Sequence, residues 1–230
     1  MTELTYLHAT RVAYDTVAES YAKLVPPTFE NDLYGRAMIG TFAELTRALD
    51  AGPVADLGCG PGHVTAHLQS LGVSAFGIDL SPKTVEVARG MHPDLQFDEG
   101  SMTDLDLADG SLGGVIAWYS IVHTPTELLP VVFAEFHRVL APGGYLLIGF
   151  KAGDRLRHLE NAYGHELSLD VYWVSPDRIT ELLSQTGLTV DARLIREPNE
   201  QDKPRHGQQA YFLARKPVEQ PGPRAAGTIA

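Results

Sequence analysis

The chain has 230 residues, 29 acidic against 18 basic side chains, a formal net charge of −11 and a single cysteine. That charge, with no Lys/Arg cluster, argues against a nucleic-acid partner, because binding a phosphate backbone depends on a basic patch that releases counterions. One cysteine, Cys59, rules out an internal disulfide, a multi-cysteine zinc site and a radical iron–sulfur cluster.

No apolar run is long enough to cross a bilayer, and Glu3, Arg11 and Asp15 break up any signal-peptide core, so no membrane partner and a cytoplasmic location are expected. Near the N-terminus, Tyr14 and Tyr21 are seven residues apart, which puts both on one face of a helix. Met38, Phe42, Leu45 and Leu49 then follow at spacings of four, three and four, an amphipathic stripe stopped by Asp50-Ala-Gly-Pro53. Residues 54–62, Val-Ala-Asp-Leu-Gly-Cys-Gly-Pro-Gly, read as a strand entering a glycine-rich turn that opens a helix at His63.

A dinucleotide fingerprint, Gly-x-Gly-x-x-Gly, requires a third glycine where this chain has His63. Pro61 removes a backbone donor, and Asp56 sets a negative charge where a pyrophosphate would lie. The turn therefore suits a cationic ligand. Val73-Ser-Ala-Phe-Gly-Ile-Asp79 is a second apolar strand ending in a carboxylate 23 residues beyond Asp56, the length of one βαβ unit. A carboxylate there can accept hydrogen bonds from both hydroxyls of a ribose.

Downstream, residues 95–102 read as a third strand and its loop, 112–120 as a fourth strand, and 140–150 as a turn and fifth strand. His123 follows the fourth strand in Trp118-Tyr-Ser-Ile-Val-His123. Residues 151–174 contain His158, Tyr163, His165, Tyr172 and Trp173, and an insertion there overhangs the carboxyl ends of the strands as a substrate cap, its aromatics either facing substrate or forming a small core. His158 and His165 are also seven apart and can share a helical face, but no His-Glu-x-x-His motif accompanies them and no metal is expected. Ser175 and Pro176 signal a helix start. Residues 188–197 and 208–216 alternate as a final strand pair joined by a polar loop at 198–207, and 217–230 reads as a disordered tail.

The Asp-x-Gly-x-Gly-x-Gly run from Asp56 resembles the first motif of class I S-adenosylmethionine-dependent methyltransferases, small-molecule enzymes of the type 11 kind among them. The order of later segments follows the same family over roughly residues 10–216. Two departures are Ser101, where many relatives have an acidic residue, and Leu112-Gly113-Gly114, where relatives often carry Phe-Asp. The resemblance implies an α/β fold, a Rossmann-like doubly wound, mostly parallel seven-stranded sheet with an antiparallel terminal strand.

It implies one domain over 1–216, with lid helices in 1–50, a cofactor core at 54–150 and the cap at 151–174. The cofactor would be S-adenosyl-L-methionine, leaving as S-adenosyl-L-homocysteine, held by Tyr14, Tyr21, Asp56, Gly58, Cys59, Gly60, Asp79, Leu80, Ser101, Met102, Trp118 and Tyr119. Within that set Asp56, Gly58 and Gly60 would take the methionine part, Asp79 the ribose, and Ser101 with Met102 the adenine edge. The two tyrosines equally fit plain core packing, and Cys59 fits a small packed residue of the turn. The partner would be a small-molecule methyl acceptor, and the residues specify no oligomeric state.

Methyl transfer from a sulfonium is mainly a matter of alignment. A hydroxyl or ammonium acceptor needs a base near neutral pH as well, and His123 is the candidate catalytic residue; positioning substrate or capping a helix from Pro125 are its other readings. Two further readings stay open, an NAD(P)-dependent oxidoreductase, disfavoured by His63, and a non-catalytic S-adenosylmethionine-binding protein.

Overall fold

The computed structural model describes residues 3–198 and 207–218. Two helices lead, α1 (Glu3–Glu30) and α2 (Leu33–Leu49). The alternating core follows as β1 (Val54–Leu57), α3 (His63–Ser70), β2 (Ala75–Asp79), α4 (Pro82–Met91), β3 (Phe97–Glu99) and β4 (Leu112–Trp118). After a 3-10 turn at Ile121–His123 come α5 (Leu129–Val139), β5 (Leu140–Lys151), β6 (Arg155–Ala162), β7 (His165–Trp173), α6 (Pro176–Gln185), β8 (Thr189–Arg196) and β9 (Gln209–Arg215).

Seven strands form one sheet in the order β3-β2-β1-β4-β5-β9-β8, and β6 and β7 form a separate pair. Strands β1 to β5 are mutually parallel, while β9 runs antiparallel to both β5 and β8. The antiparallel strand is therefore the last in sequence and lies inside the sheet, between β5 and β8. Residues 199–206 of the loop expected between β8 and β9, and 219–230 of the expected tail, lie outside the described residues.

Side chains alternate between two cores with the period of a strand. On one face Ala55, Leu57, Val115, Ala117, Leu146, Ile148 and Phe212 meet Phe133 and Phe136 of α5 and Leu182 of α6. On the other, Val54, Ile116, Leu147, Tyr211 and Leu213 meet Ile39 and Phe42 of α2 and Leu68 of α3. Each fully buried Val, Leu, Ile or Phe among these contributes about 1.5–3 kcal/mol of transfer free energy. The buried stripe of α2 is Ile39, Phe42, Ala43 and Thr46, with only Phe42 shared with the stripe expected from sequence. Thr46 is tolerated inside because its hydroxyl donates to the carbonyls of Phe42 and Ala43.

Helix starts follow local chemistry. Ser81 and Ser175 each accept an amide proton from three residues on, from Thr84 and Arg178, and each is followed by proline. Asp50, with φ of 48°, ends α2 in the left-handed conformation. The segment 151–174 is a β-hairpin, which corrects the helical spacing read for His158 and His165. Tyr163 and Gly164 both have positive φ, 54° and 84°, and make the two-residue turn whose twist matches the flanking strands. Trp173 is buried in the main core and Tyr172 packs against it, so for Trp173 the core reading holds.

Candidate active site

The parallel strands end along one edge of the sheet, and strand order reverses between β1 and β4, where an open α/β sheet leaves a crevice. The turn after β1, the end of β2 and the end of β4 line a cavity there. Helix α1 lies across it and contributes Tyr6, Leu7, Thr10, Arg11, Tyr14 and Tyr21. Of these, only the two tyrosines were expected from sequence. The signal for the rest was present, since 6, 10, 14 and 21 repeat at four, four and seven and so share a helical face.

The glycine turn is built for close approach. Gly58 has φ of 71°, and a Cβ placed on it would lie 2.3 Å from Ser120 Cβ. Gly60 has φ of 57°, with Tyr21 3.3 Å from the position of its absent Cβ. Both face the cavity, as do Leu80, Ser101, Met102, Trp118 and Tyr119. Asp79 stands at the tip of β2, its Oδ2 accepting the Gly60 amide at 2.9 Å and its Oδ1 the Ser81 amide at 2.9 Å. Burial raises its pKa, opposed by those amide hydrogen bonds.

Asp56 and Cys59 are buried behind the turn and are not on the cavity's lining. Asp56 is fully buried, and its Oδ2 accepts the Thr65 hydroxyl at 2.7 Å, which ties β1 to α3. Burial pushes its carboxyl up to about 7, with the Thr65 bond opposing. Its effect on the site passes through the turn it anchors. Cys59 packs with Val85, Ala88 and Phe97, and burial raises its thiol pKa.

Trp118 and Tyr119 are locked from behind. Trp118 stacks on Tyr211 with centroids 5.0 Å apart and planes 8° from parallel. Tyr119, held at φ of 55°, donates from its hydroxyl to Tyr211 Oη, which donates in turn to Asp32 at the N-cap of α2. Arg138 was not anticipated. From α5 it donates to the carbonyls of Leu105 and Leu107 and pairs with Asp109 and Glu135, fastening the loop that follows Ser101 and Met102.

His123 borders the cavity within the 3-10 turn; α5 begins six residues later, so it caps no helix. Its Nδ1 is 2.8 Å from the carbonyl oxygen of Asp170 on β7, and its Nε2 is 2.8 Å from Tyr14 Oη. A carbonyl only accepts, so Nδ1 carries the proton and Nε2 the lone pair, to which the Tyr14 hydroxyl donates. Burial lowers the His123 pKa to about 4, and the ring is neutral at pH 7.

Helix α1 is tied down along its length. Arg11 pairs with Glu99 at 2.6 Å, Asp15 accepts the Ser81 hydroxyl at 2.6 Å, and Ser20 Oγ lies 2.9 Å from His165 Nε2 on the hairpin. The Tyr21 ring meets Tyr163 at the hairpin tip edge-on, 5.1 Å between centroids. His158, on the outer side of the hairpin, pairs with Asp170 at 2.7 Å.

Residues 54–144 match the methyltransferase-domain family model. Over that stretch the chain is similar to S-adenosylmethionine-dependent methyltransferases. It is 35% identical over 92 residues to a demethylmenaquinone methyltransferase of Chlorobaculum parvum, covering 40% of this chain and 37% of that one. Over 110 residues it is 29% identical to a malonyl-[acyl-carrier protein] O-methyltransferase of Pectobacterium atrosepticum, covering 48% and 43%. The chain thus spans less than half the length of these two relatives. In fold it is similar to the Burkholderia thailandensis 1,6-didemethyltoxoflavin-N1-methyltransferase, solved with its acceptor and S-adenosylhomocysteine. That likeness has a TM-score of 0.67 at 18% identity and covers 94% of this chain and 91% of that one. The family's cofactor fits the residues present: a cradle of two glycines that a Cβ would obstruct, a strand-end carboxylate, and Ser120 Oγ buried beside it without a hydrogen-bond partner.

Proposed function

We propose that this methyltransferase transfers a methyl group from S-adenosylmethionine to oxygen or nitrogen of a small organic acceptor by in-line displacement. The observation that carries the reading is Asp79, which borders the cavity at the tip of β2 while holding the Gly60 amide. Its remaining lone pairs meet a ribose diol, and the opened turn at Gly58 and Gly60 accommodates the methionine part. Ser101 and Met102 border the adenine edge, with Leu80, Tyr14, Tyr21, Trp118 and Tyr119 enclosing the rest.

The cation balance of the cavity favours this ligand over a dinucleotide. The basic side chains on its lining are Arg11, already paired with Glu99, and His123, which is neutral. A pyrophosphate would lack a counter-charge there, whereas a sulfonium is served by Asp79. His63, at the position of the third glycine of a dinucleotide turn, supports the same choice.

When bound, the cofactor supplies an electrophilic methyl on a good leaving group. The chain's work is alignment, exclusion of water by α1 and the 151–174 hairpin, and removal of a proton from the acceptor, for which His123 is the final proton store. No helix among the described residues is long and apolar enough to cross a membrane, in keeping with a cytoplasmic small-molecule enzyme. Incubating the protein with S-adenosylmethionine carrying an isotopic methyl and a panel of small hydroxy and amino compounds tests this. Label recovered in an acceptor supports it; cofactor binding with no transfer to any compound favours the non-catalytic reading.

A further inference from the structure

We propose that Tyr14 Oη, and not His123 Nε2, is the atom that receives the acceptor's proton, and that His123 acts through it. The inference rests on the reading of the cavity as a methyl-transfer site.

Two hydrogen bonds carry it. The Asp170 carbonyl can only accept, which fixes the proton on His123 Nδ1 and leaves the Nε2 lone pair to Tyr14. A base whose lone pair is already occupied by a phenol does not meet a substrate directly. The phenol oxygen, having donated its own hydrogen, keeps two lone pairs, of which the neighbouring Tyr21 hydroxyl can engage only one, and Tyr14 borders the cavity.

The proton then moves in two linked transfers. As the acceptor's oxygen or nitrogen forms its bond to the methyl carbon, its own proton passes to Tyr14 Oη. The original Tyr14 proton passes to His123 Nε2, and the electron pair of the broken carbon–sulfur bond stays on sulfur. The imidazolium keeps its Nδ1–H on the Asp170 carbonyl and releases its new proton to water after turnover. One positive charge leaves the sulfonium as one forms on His123, so the net charge of the cavity does not change during the step. This suits a weak, buried base, which need not create a new charge in a low-dielectric site. Tyr21, Tyr163 and Asp79 face Tyr14, and Lys151 and Asp170 face His123. None offers the acceptor a neutral lone pair backed by a base, as Tyr14 does.

The test needs no known acceptor. Sinefungin replaces the methylated sulfonium with a carbon bearing an ammonium, which projects where the methyl would be delivered; S-adenosylhomocysteine projects nothing there. Calorimetry with both probes on the parent and Tyr14→Phe is expected to show about a tenfold loss for sinefungin and less than a twofold change for S-adenosylhomocysteine. Equal effects on the two probes, or none on either, would overturn the proposal while leaving the cofactor site standing. Failure of the parent to bind either probe would remove the site itself. Nitrogen NMR of the S-adenosylhomocysteine complex gives a second readout. A neutral His123 protonated at Nδ1 is expected, with the Nε2 signal shifting in Tyr14→Phe. Protonation at Nε2 would reverse the hydrogen bond to Tyr14 and rule out the relay.

Discussion

The carboxylate of Asp79, at the tip of β2, accepts the amide proton of Gly60 in the turn after β1, across 2.9 Å. One side chain thus fixes the shape of the turn and faces the cavity the turn lines. Ser81 donates its amide to the same carboxylate and its hydroxyl to Asp15 of α1. The covering helix is therefore registered against the group assigned to the ribose.

Replacing Asp79 with alanine removes an ionised acceptor of both ligand and backbone donors. S-adenosylhomocysteine affinity is expected to fall by roughly ten- to a hundredfold, the worth of about 1.5–3 kcal/mol in charge-assisted hydrogen bonds. Calorimetry checks the loss, and a thermal melt in the absence of ligand should still show one cooperative transition. Unchanged affinity would remove Asp79 from the ribose role.

Gly58→Ala forces a Cβ against Ser120 at a backbone conformation that L side chains rarely adopt. A destabilisation on the order of 1–3 kcal/mol is expected, together with loss of cofactor binding. Adding Ser120→Gly removes the contact but not the strained φ, so it should restore stability only in part. Full recovery in the double variant would show that φ at 58 carries no cost.

His63 and His123 are both held neutral by burial, each with its pKa lowered to about 4 from an ordinary 6.5. The unfolded chain takes up these protons first as pH falls. Their contribution to stability is therefore complete above pH 6.5 and is lost progressively toward pH 4. Asp56, raised to about 7, works in the opposite sense, gaining stability as pH drops below 7. Substituting His63, which packs against Phe29 beside His92, by phenylalanine should flatten the fall in melting temperature between pH 6.5 and 4.5. An unaltered pH slope in that variant would contradict the neutral, buried assignment of His63.

Arg138 fastens the 100–111 loop through two carbonyls and two carboxylates, so Arg138→Met keeps the stem and loses the four partners. The expected result is faster amide exchange and proteolysis in residues 100–111, with S-adenosylhomocysteine affinity weakened several-fold through Ser101 and Met102. An equally protected loop would show that packing alone holds it.

How far the sequence could be read depended on whether the information was local. The glycine turn, the helix start at Ser175 and the succession of strands through β5 rest on short-range chemistry, and they were legible. The direction of the Asp56 carboxylate was not legible, because at a strand end it can turn toward a ligand or back onto its helix. Only the fold reveals that Thr65 satisfies it from behind. In α2 the buried stripe passes through Thr46, which polarity alone assigns to the surface. The hairpin at 151–174 was hidden by a spacing of seven that helices and strands both allow, although Tyr163-Gly164 marked its turn. The bonds of Arg138 to residues 105–109 and the Tyr14–His123–Asp170 contacts join segments 29 to 109 residues apart, beyond any local pattern.

The central claim is the cofactor, and the most direct test is calorimetric titration of the purified protein with S-adenosylmethionine, S-adenosylhomocysteine and NADH in parallel. Saturable binding of the first two and none of NADH is expected. Binding of NADH alone would contradict the reading of the turn and of Asp79, and with them the reaction class.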